Sequence, residues 1–290
     1  MKFDKNTKIL IVGLGLIGGS YAKALSDEGY FVGAIDKKKS SVDYALKNGL
    51  IQVGETSVKK DFVKDFDLIV FALYPHDFIN WIKEYQSSIK SGALITDVTG
   101  VKSFVVENVQ KILRGDLEFV GAHPMAGKEV SGVENADPRI FVGANYIVTP
   151  TKRNTDENVQ AVKDLGHALG FERISSLSPE EHDETVGFLS HLTHCIAVSL
   201  MVSKKSHHLA EYTGDSFRDL TRIAKINDEM WSELFLANKD ELLKQMDLFE
   251  EKFNQLKEDI KNDNREKIRE TLRESTARRK VFDKDAKETK

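Results

Sequence analysis

His123, in the run Ala122-His123-Pro124-Met125-Ala126-Gly127, is the side chain best suited to move a proton. An imidazole titrates near neutral pH, so it can take a proton from a hydroxyl while a hydride leaves the same carbon. Pro124 restricts the backbone of the residue before it, which holds the ring in place. A histidine taken alone is more often structural; a place on a loop at the ligand edge of a sheet reverses that preference. Glu129, shortly after, either orients a histidine, gates a site or is a solvated loop glutamate. His191 and His194, three apart in Leu189-Ser190-His191-Leu192-Thr193-His194-Cys195, share one face of a helix. Such a pair can begin a metal site, but no matching cluster of acids or cysteines accompanies it. No metal is therefore expected, and a polar pair facing a cleft is the preferred reading. Arg218 and Arg222 stand four apart within residues 216–224. A guanidinium is a planar fork matched to a carboxylate, which makes this pair the best clamp for an anionic substrate. The alternative is a surface pairing with Asp215 and Asp219.

A second chemistry is written into residues 8–20, KILIVGLGLIGGS. An apolar strand, Ile9 to Val12, breaks into Gly13-x-Gly15-x-x-Gly18 and then into a helix-compatible segment. In such a phosphate cradle the first glycine allows the tight turn, the second lets the backbone approach a pyrophosphate, and the third lets helix and strand pack closely. The helix start adds unpaired N–H groups and a positive dipole end. A second apolar run, Tyr30 to Ile35, ends in Asp36, where a carboxylate can meet a ribose 2′-hydroxyl. Gly13, Gly15, Leu16, Ile17, Gly18 and Asp36 are the expected cofactor contacts. Lys37, Lys38 and Lys39 would favour a 2′-phosphate, but the carboxylate would repel one, so NAD is preferred over NADP.

The elements needed to position these residues fall in two blocks. From residue 8 to about 176, strands and helices alternate: 66–73 reads as a strand buried on both faces, and further strands begin near Ala93, Glu118, Tyr146 and Glu172. That pattern indicates a doubly wound α/β sheet of Rossmann type. Ser178-Pro179-Glu180-Glu181 is a helix start, and from there the pattern is helical only. The expected domains are therefore 1–176, binding a dinucleotide, and 177–290, an all-α substrate and dimerisation domain. Leu242, Met246, Phe249, Phe253, Leu256 and Ile260 form a heptad-like stripe that needs a partner, either a second copy or the chain folding back through Ile268 and Leu272. Residues 283–290 are polar and expected to fray.

The composition agrees with a globular protein: 290 residues, 40% hydrophobic and 30% charged. A net charge of −4 argues against a nucleic-acid partner held by bulk electrostatics. A single cysteine, Cys195, rules out an intramolecular disulfide and suits a reducing compartment. With no signal-peptide layout and no apolar run near the length of a membrane span, a cytoplasmic protein is expected.

Taken together, these residues resemble the prephenate/arogenate dehydrogenase family of tyrosine biosynthesis. The resemblance covers nearly the whole chain in four motifs kept in order. They are 13–20, His123-Pro124-Met125-Ala126-Gly127 with Glu129, Ser190-His191-Leu192-Thr193-His194, and 217–224 with Met230-Trp231 and Asn238 beyond it. It implies an NAD(P)-binding domain followed by a helical dimerisation domain, hence a homodimer, with a small-molecule substrate oxidised and decarboxylated on its ring. By the same resemblance His123 would bind the ring C4 hydroxyl and accept its proton, His194 would help hold the substrate, Arg222 would bind a carboxylate, and Glu129 would shape or gate the pocket. Two positions depart from the family pattern. Gly100 stands in Asp97-Val98-Thr99-Gly100-Val101-Lys102 where many members have a serine, so Thr99 or Ser103 is expected to supply the hydroxyl; Thr193 replaces a common proline. The regulatory βαββαβ module of some relatives is not recognised, so feedback through it is not expected. Prephenate and arogenate are not separated at this level. The competing readings are a 3-hydroxy acid dehydrogenase, disfavoured because histidines precede Lys204 and Lys205 on the relevant helix, and a non-catalytic NAD-sensing protein.

Overall fold

The computed structural model describes residues 1–205 and 208–283; most of the polar tail expected to fray lies outside the described residues. In β1 (Lys8–Val12) alternate side chains leave opposite faces, so Ile9 and Ile11 enter one core and Leu10 and Val12 another. The same division runs through β2 (Phe31–Ile35), β4 (Leu68–Phe71) and β5 (Leu94–Asp97). A strand buried on both faces must be covered by helices on both, and burying each such Ile, Leu, Val or Phe contributes about 1.5–3 kcal/mol. Between and beyond these strands lie α1 (Leu16–Asp27), α2 (Lys39–Lys47), β3 (Val53–Glu55), α3 (Lys60–Val63), α4 (Pro75–Tyr85), α5 (Ser103–Ile112) and the short β6 (Glu118–Phe119). The six strands are parallel, in the order β3-β2-β1-β4-β5-β6. This order reverses direction beside β1, the crevice where doubly wound sheets bind ligands. Ile35, Val12, Phe71 and Asp97 are register partners, so Asp36, Gly13, Ala72 and Val98 all leave the sheet along one edge.

The last strands depart from the expectation. The stretch from Glu118 turns at Val120, and β7 (Gly121–Pro124) leaves the main sheet to pair antiparallel with β8 (Asn145–Thr149); β8 then pairs in parallel with β9 (Arg173–Ser176), across α6 (Asp156–Ala168). The strands near Tyr146 and Glu172 thus close a separate three-stranded sheet. Asp97 makes the junction: its Oδ1 accepts the Ala122 N–H at 3.0 Å. His123 consequently sits inside β7, opposite Ile147, and not on a loop after a strand.

From Ser178 onward the described elements are helical. Ser178 Oγ accepts from the Glu181 N–H at 3.1 Å while Glu181 Oε2 accepts from the Ser178 N–H at 2.8 Å, a capping box that starts α7 (Pro179–Val186). A π-helical turn, Gly187–Leu192, carries α7 into α8 (Thr193–Val202). The combined helix of 24 residues is long and apolar enough by length and composition to cross a membrane, contrary to the expectation that nothing approached that length. Serine, threonine and histidine interrupt its apolar run without adding charge, which hides it from a search for unbroken runs. Its buried His182 and Asp183, tied to α5, fit a helix packed in a folded unit. Then come α9 (Asp215–Thr221) and α10 (Asp228–Ala237), whose Leu234 enters the core under β4 and β5. By compactness the first unit runs through Lys239, and the second spans Asp240–Lys290; the change from mixed to helical pattern at 176 is a change of element type within the first unit. In the second unit α11 (Lys239–Lys261) carries the heptad-like stripe on one helix, and α12 (Arg265–Arg279) follows a turn at Asp263, which has φ 50°.

Candidate active site

Gly13 lies at φ 99°, donates its N–H to Ile35 at 2.8 Å, and has no room for a Cβ, which would strike the Ala72 carbonyl. At Gly18 a Cβ would strike the Gly13 carbonyl, so this glycine sets the helix–strand approach. Gly15 differs: a Cβ there would meet no protein atom within 4 Å. Open space thus lies before the start of α1, where Leu16 and Ile17 open the helix and no side chain caps its first N–H groups. Asp36 accepts the Leu14 N–H at 2.7 Å through Oδ2 and the Lys38 N–H at 2.8 Å through Oδ1. Its remaining lone pairs suit ribose hydroxyls. A glycine cradle with room beside Gly15, an uncapped helix start and an acid at the next strand end fit a dinucleotide.

Around the end of β5 a second cluster is fully buried. The Lys102 ammonium donates to Asp97 Oδ2 at 2.6 Å and to Thr99 Oγ1 at 3.1 Å, with no exposure of the Lys102 or Asp97 side chain. Burial pushes the Lys102 ammonium below its usual range, against the pull of Asp97. Thr99 Oγ1 lies between Asp97 Oδ2 and the Val101 carbonyl. This overturns the expectation that Thr99 offers a hydroxyl to the histidine or to substrate, because that hydroxyl is committed to the ion pair. Ser103 contributes its backbone: with Lys102 it donates N–H to the two oxygens of Asp183, both at 2.8 Å. Asp183 thereby caps α5 from a helix far along the chain.

The same Asp183 accepts at Oδ1 from His182 Nδ1 at 2.8 Å, and His182 Nε2 meets His123 Nδ1 at 2.8 Å. Burial first, then His182, Lys102 and His191, hold the His123 imidazole well below its usual range. The His123 residue is partly exposed, and its Nε2 faces Gly100: a Cβ on Gly100 would lie 3.8 Å from that nitrogen and 3.4 Å from Leu234. Nothing in the Gly100 backbone demands glycine.

Asn238 Nδ2 donates to the Asp183 carbonyl at 2.9 Å and meets His191 Nδ1 at 3.2 Å. The π-helical turn separates the two candidate histidines, turning His191 into the buried network while His194 stays partly exposed. His194 donates from Nδ1 to the Ser190 carbonyl at 2.8 Å and stacks on Trp231 at 3.7 Å between ring centroids. Among the described residues no group of three metal-ligating side chains occurs. Arg222 pairs with Glu129, joining α10's approach to the loop after β7, and both act on the His194 imidazole electrostatically. The Arg222 side chain is 64% exposed, so it lies at the surface and not in a buried pocket. Arg218 pairs with Asp215 at 2.8 Å, the surface reading. His123, Gly100, His194, Arg222, Glu129 and the cradle thus belong to one compact unit, and the loop carrying Gly100 leaves the main sheet along the same edge as the cradle.

Residues 21–173 match the family described as "Prephenate dehydrogenase, nucleotide-binding domain", and residues 178–274 match "Prephenate dehydrogenase, dimerization domain". The chain belongs to the prephenate dehydrogenase family. Its relatives include the prephenate dehydrogenase of Bacillus subtilis, 34% identical over 82% of this chain and 66% of that protein, so this chain spans just under two thirds of its length. The cyclohexadienyl dehydrogenase of Zymomonas mobilis is 29% identical over 96% of each chain. Among solved structures, the Aquifex aeolicus prephenate dehydrogenase in complex with hydroxyphenyl propionate and NAD+ has a TM-score of 0.87 at 34% identity, covering 96% of this chain and 98% of that one.

Within this family architecture, His182 and Asp183 are not among the candidates that the sequence pattern singles out. The available signal was an adjacent acid and histidine one turn into a helix that otherwise turns apolar.

Proposed function

We propose that this chain is an NAD-dependent prephenate dehydrogenase, converting prephenate to 4-hydroxyphenylpyruvate with loss of carbon dioxide. The observation that carries the reading is the placement of His123, with its Nε2 facing Gly100, whose loop leaves the main sheet along the same edge as the glycine cradle. The Aquifex aeolicus relative with NAD+ supports the choice of cofactor. Gly13, Gly15, Leu16, Ile17, Gly18 and Asp36 would hold the dinucleotide, and Asp36 beside the adenosine ribose favours NAD over NADP. A dinucleotide held there would supply the acceptor for the hydride leaving the carbinol carbon. His123 removes the hydroxyl proton as the carbonyl forms; the bond to the ring carboxylate then breaks to release carbon dioxide, its electron pair makes the ring aromatic, and the C4 oxygen takes the proton back from His123 to give the phenol. Arg222 binds a substrate carboxylate at the mouth, where an incoming carboxylate competes with Glu129, and His194 with its bare Nε2 holds a donor on the substrate.

The Zymomonas mobilis relative, named for cyclohexadienyl substrates, keeps arogenate as the second reading. One assay separates them: prephenate and arogenate are each crossed with NAD+ and NADP+, following reduced-nicotinamide absorbance. Turnover is expected with prephenate and NAD+. Turnover with arogenate alone would replace the substrate, and four flat traces with NAD+ still binding would sink the reading in favour of a non-catalytic NAD-binding protein.

The reading extends to a homodimer in the cytoplasm. The family's dimerisation domain supports it, as does α11, where Met246, Phe249, Phe253 and Ile260 remain 39–59% exposed.

A further inference from the structure

His123 is engaged on its inner side by a chain of two further groups: His182 Nε2 at 2.8 Å from His123 Nδ1, and Asp183 Oδ1 at 2.8 Å from His182 Nδ1. Both Asp183 oxygens also accept backbone N–H groups at the start of α5. Burial alone would raise this carboxyl, but the hydrogen bonds from His182, Lys102 and Ser103 outweigh it and hold the group ionised. An ionised carboxylate has no proton to give, so the hydrogen between it and His182 belongs to His182 Nδ1. The His182 ring is fully buried, and burial pushes its imidazole below the usual range despite Asp183. It is neutral, so its Nε2 is bare and accepts. The hydrogen between the two rings therefore belongs to His123 Nδ1, and Nε2 is the only nitrogen of His123 left to take a proton.

We propose that His182 and Asp183 are positioning residues that fix His123 in the Nδ1–H tautomer, presenting its Nε2 lone pair to the substrate hydroxyl. The proposal rests on the reading of His123 as proton acceptor. In the reaction the substrate O–H bond breaks and a bond forms from the proton to Nε2; the Nδ1–H stays shared with His182, and the Asp183 charge, one ring away, stabilises the imidazolium. The opposite tautomer would point an N–H at the hydroxyl and could not accept. Asn238 holds the arrangement from behind by donating to the Asp183 carbonyl.

Two measurements test it. Two-bond ¹H–¹⁵N spectra of the full chain labelled with [¹⁵N]histidine, with the His123 signals identified by their loss in His123→Asn, are expected to show His123 protonated on Nδ1 at neutral pH. A proton on Nε2 overturns the proposal, and this reading needs no variant at position 182. Kinetically, His182→Leu is expected to lower kcat by about 100-fold with the substrate KM within about twofold, while His182→Gln, which keeps an acceptor for the His123 N–H, recovers most of the loss. Wild-type kcat in His182→Leu, or equal losses in both variants, overturns it. An inactive His123→Asn beside an unaffected His182→Leu sinks this proposal alone; an active His123→Asn sinks the underlying reading.

Discussion

At His123, burial is the largest influence disfavouring the imidazolium, and the nearby Lys102 ammonium adds positive potential. A base held below the usual range stays unprotonated further into acid, so the acidic limb of kcat/KM is expected below pH 6.5, the ordinary value for histidine. A limb at or above that value would show that the ring is solvated in the working enzyme. The same shift governs stability. His191, pushed down to about 4 mainly by burial, binds a proton in the unfolded chain near 6.5 but not in the folded one. Its contribution is therefore fully present above about pH 6.5 and is lost as the pH falls toward 4. Urea unfolding midpoints measured across that window should fall, and His191→Gln should flatten the slope.

The element that organises the site is the N-terminus of α5. Asp97 at the end of β5 reaches the Lys102 ammonium, the Thr99 loop and the β7 backbone, and Asp183 from α7 caps the helix that follows. One short loop thereby fixes β5, β7 and α7 relative to each other, and His123 and His182 are carried on two of them. A buried pair adds little over an apolar isostere, yet removing one partner strands a charge in the core. Lys102→Met is expected to lower the unfolding free energy by about 3–5 kcal/mol, with part recovered in the double variant Lys102→Met/Asp97→Asn. Chemical denaturation would show this; a loss under about 1 kcal/mol would mean that water reaches Asp97 and the pair is not dry.

At the scale of the whole molecule, apolar surface remains uncovered in each compact unit. Phe188, Leu189, Met201 and Val202 are exposed along the helix of 179–202, and Met246, Phe249, Phe253 and Ile260 along α11. Leu272, through which the chain was the alternative cover for the α11 stripe, is itself 57% exposed. A second copy is the expected cover. Light scattering on the eluted protein should give twice the mass of one chain, and Phe249→Glu with Phe253→Glu should halve it while far-UV helicity persists; a monomeric wild type would remove the homodimer from the reading.

How much of this was legible in the sequence follows from the range of the interactions involved. The glycine cradle, Asp36, the capping box at Ser178 and the helical second half are set by neighbours in the chain, through backbone freedom, strand periodicity and helix capping. His123 and Arg222 stand out as candidates because their types and motif company are themselves local. What folding alone decided is long-range: the departure of β7 into its own sheet, the capture of the Lys102 and Ser103 N–H groups by Asp183, and the meeting of His123 with His182, 59 residues apart. Local pattern shows which residues share a face, but which faces meet depends on the closing of buried hydrogen bonds across the fold; Asp183 of α7 closes them at the start of α5, and its neighbouring histidine meets His123.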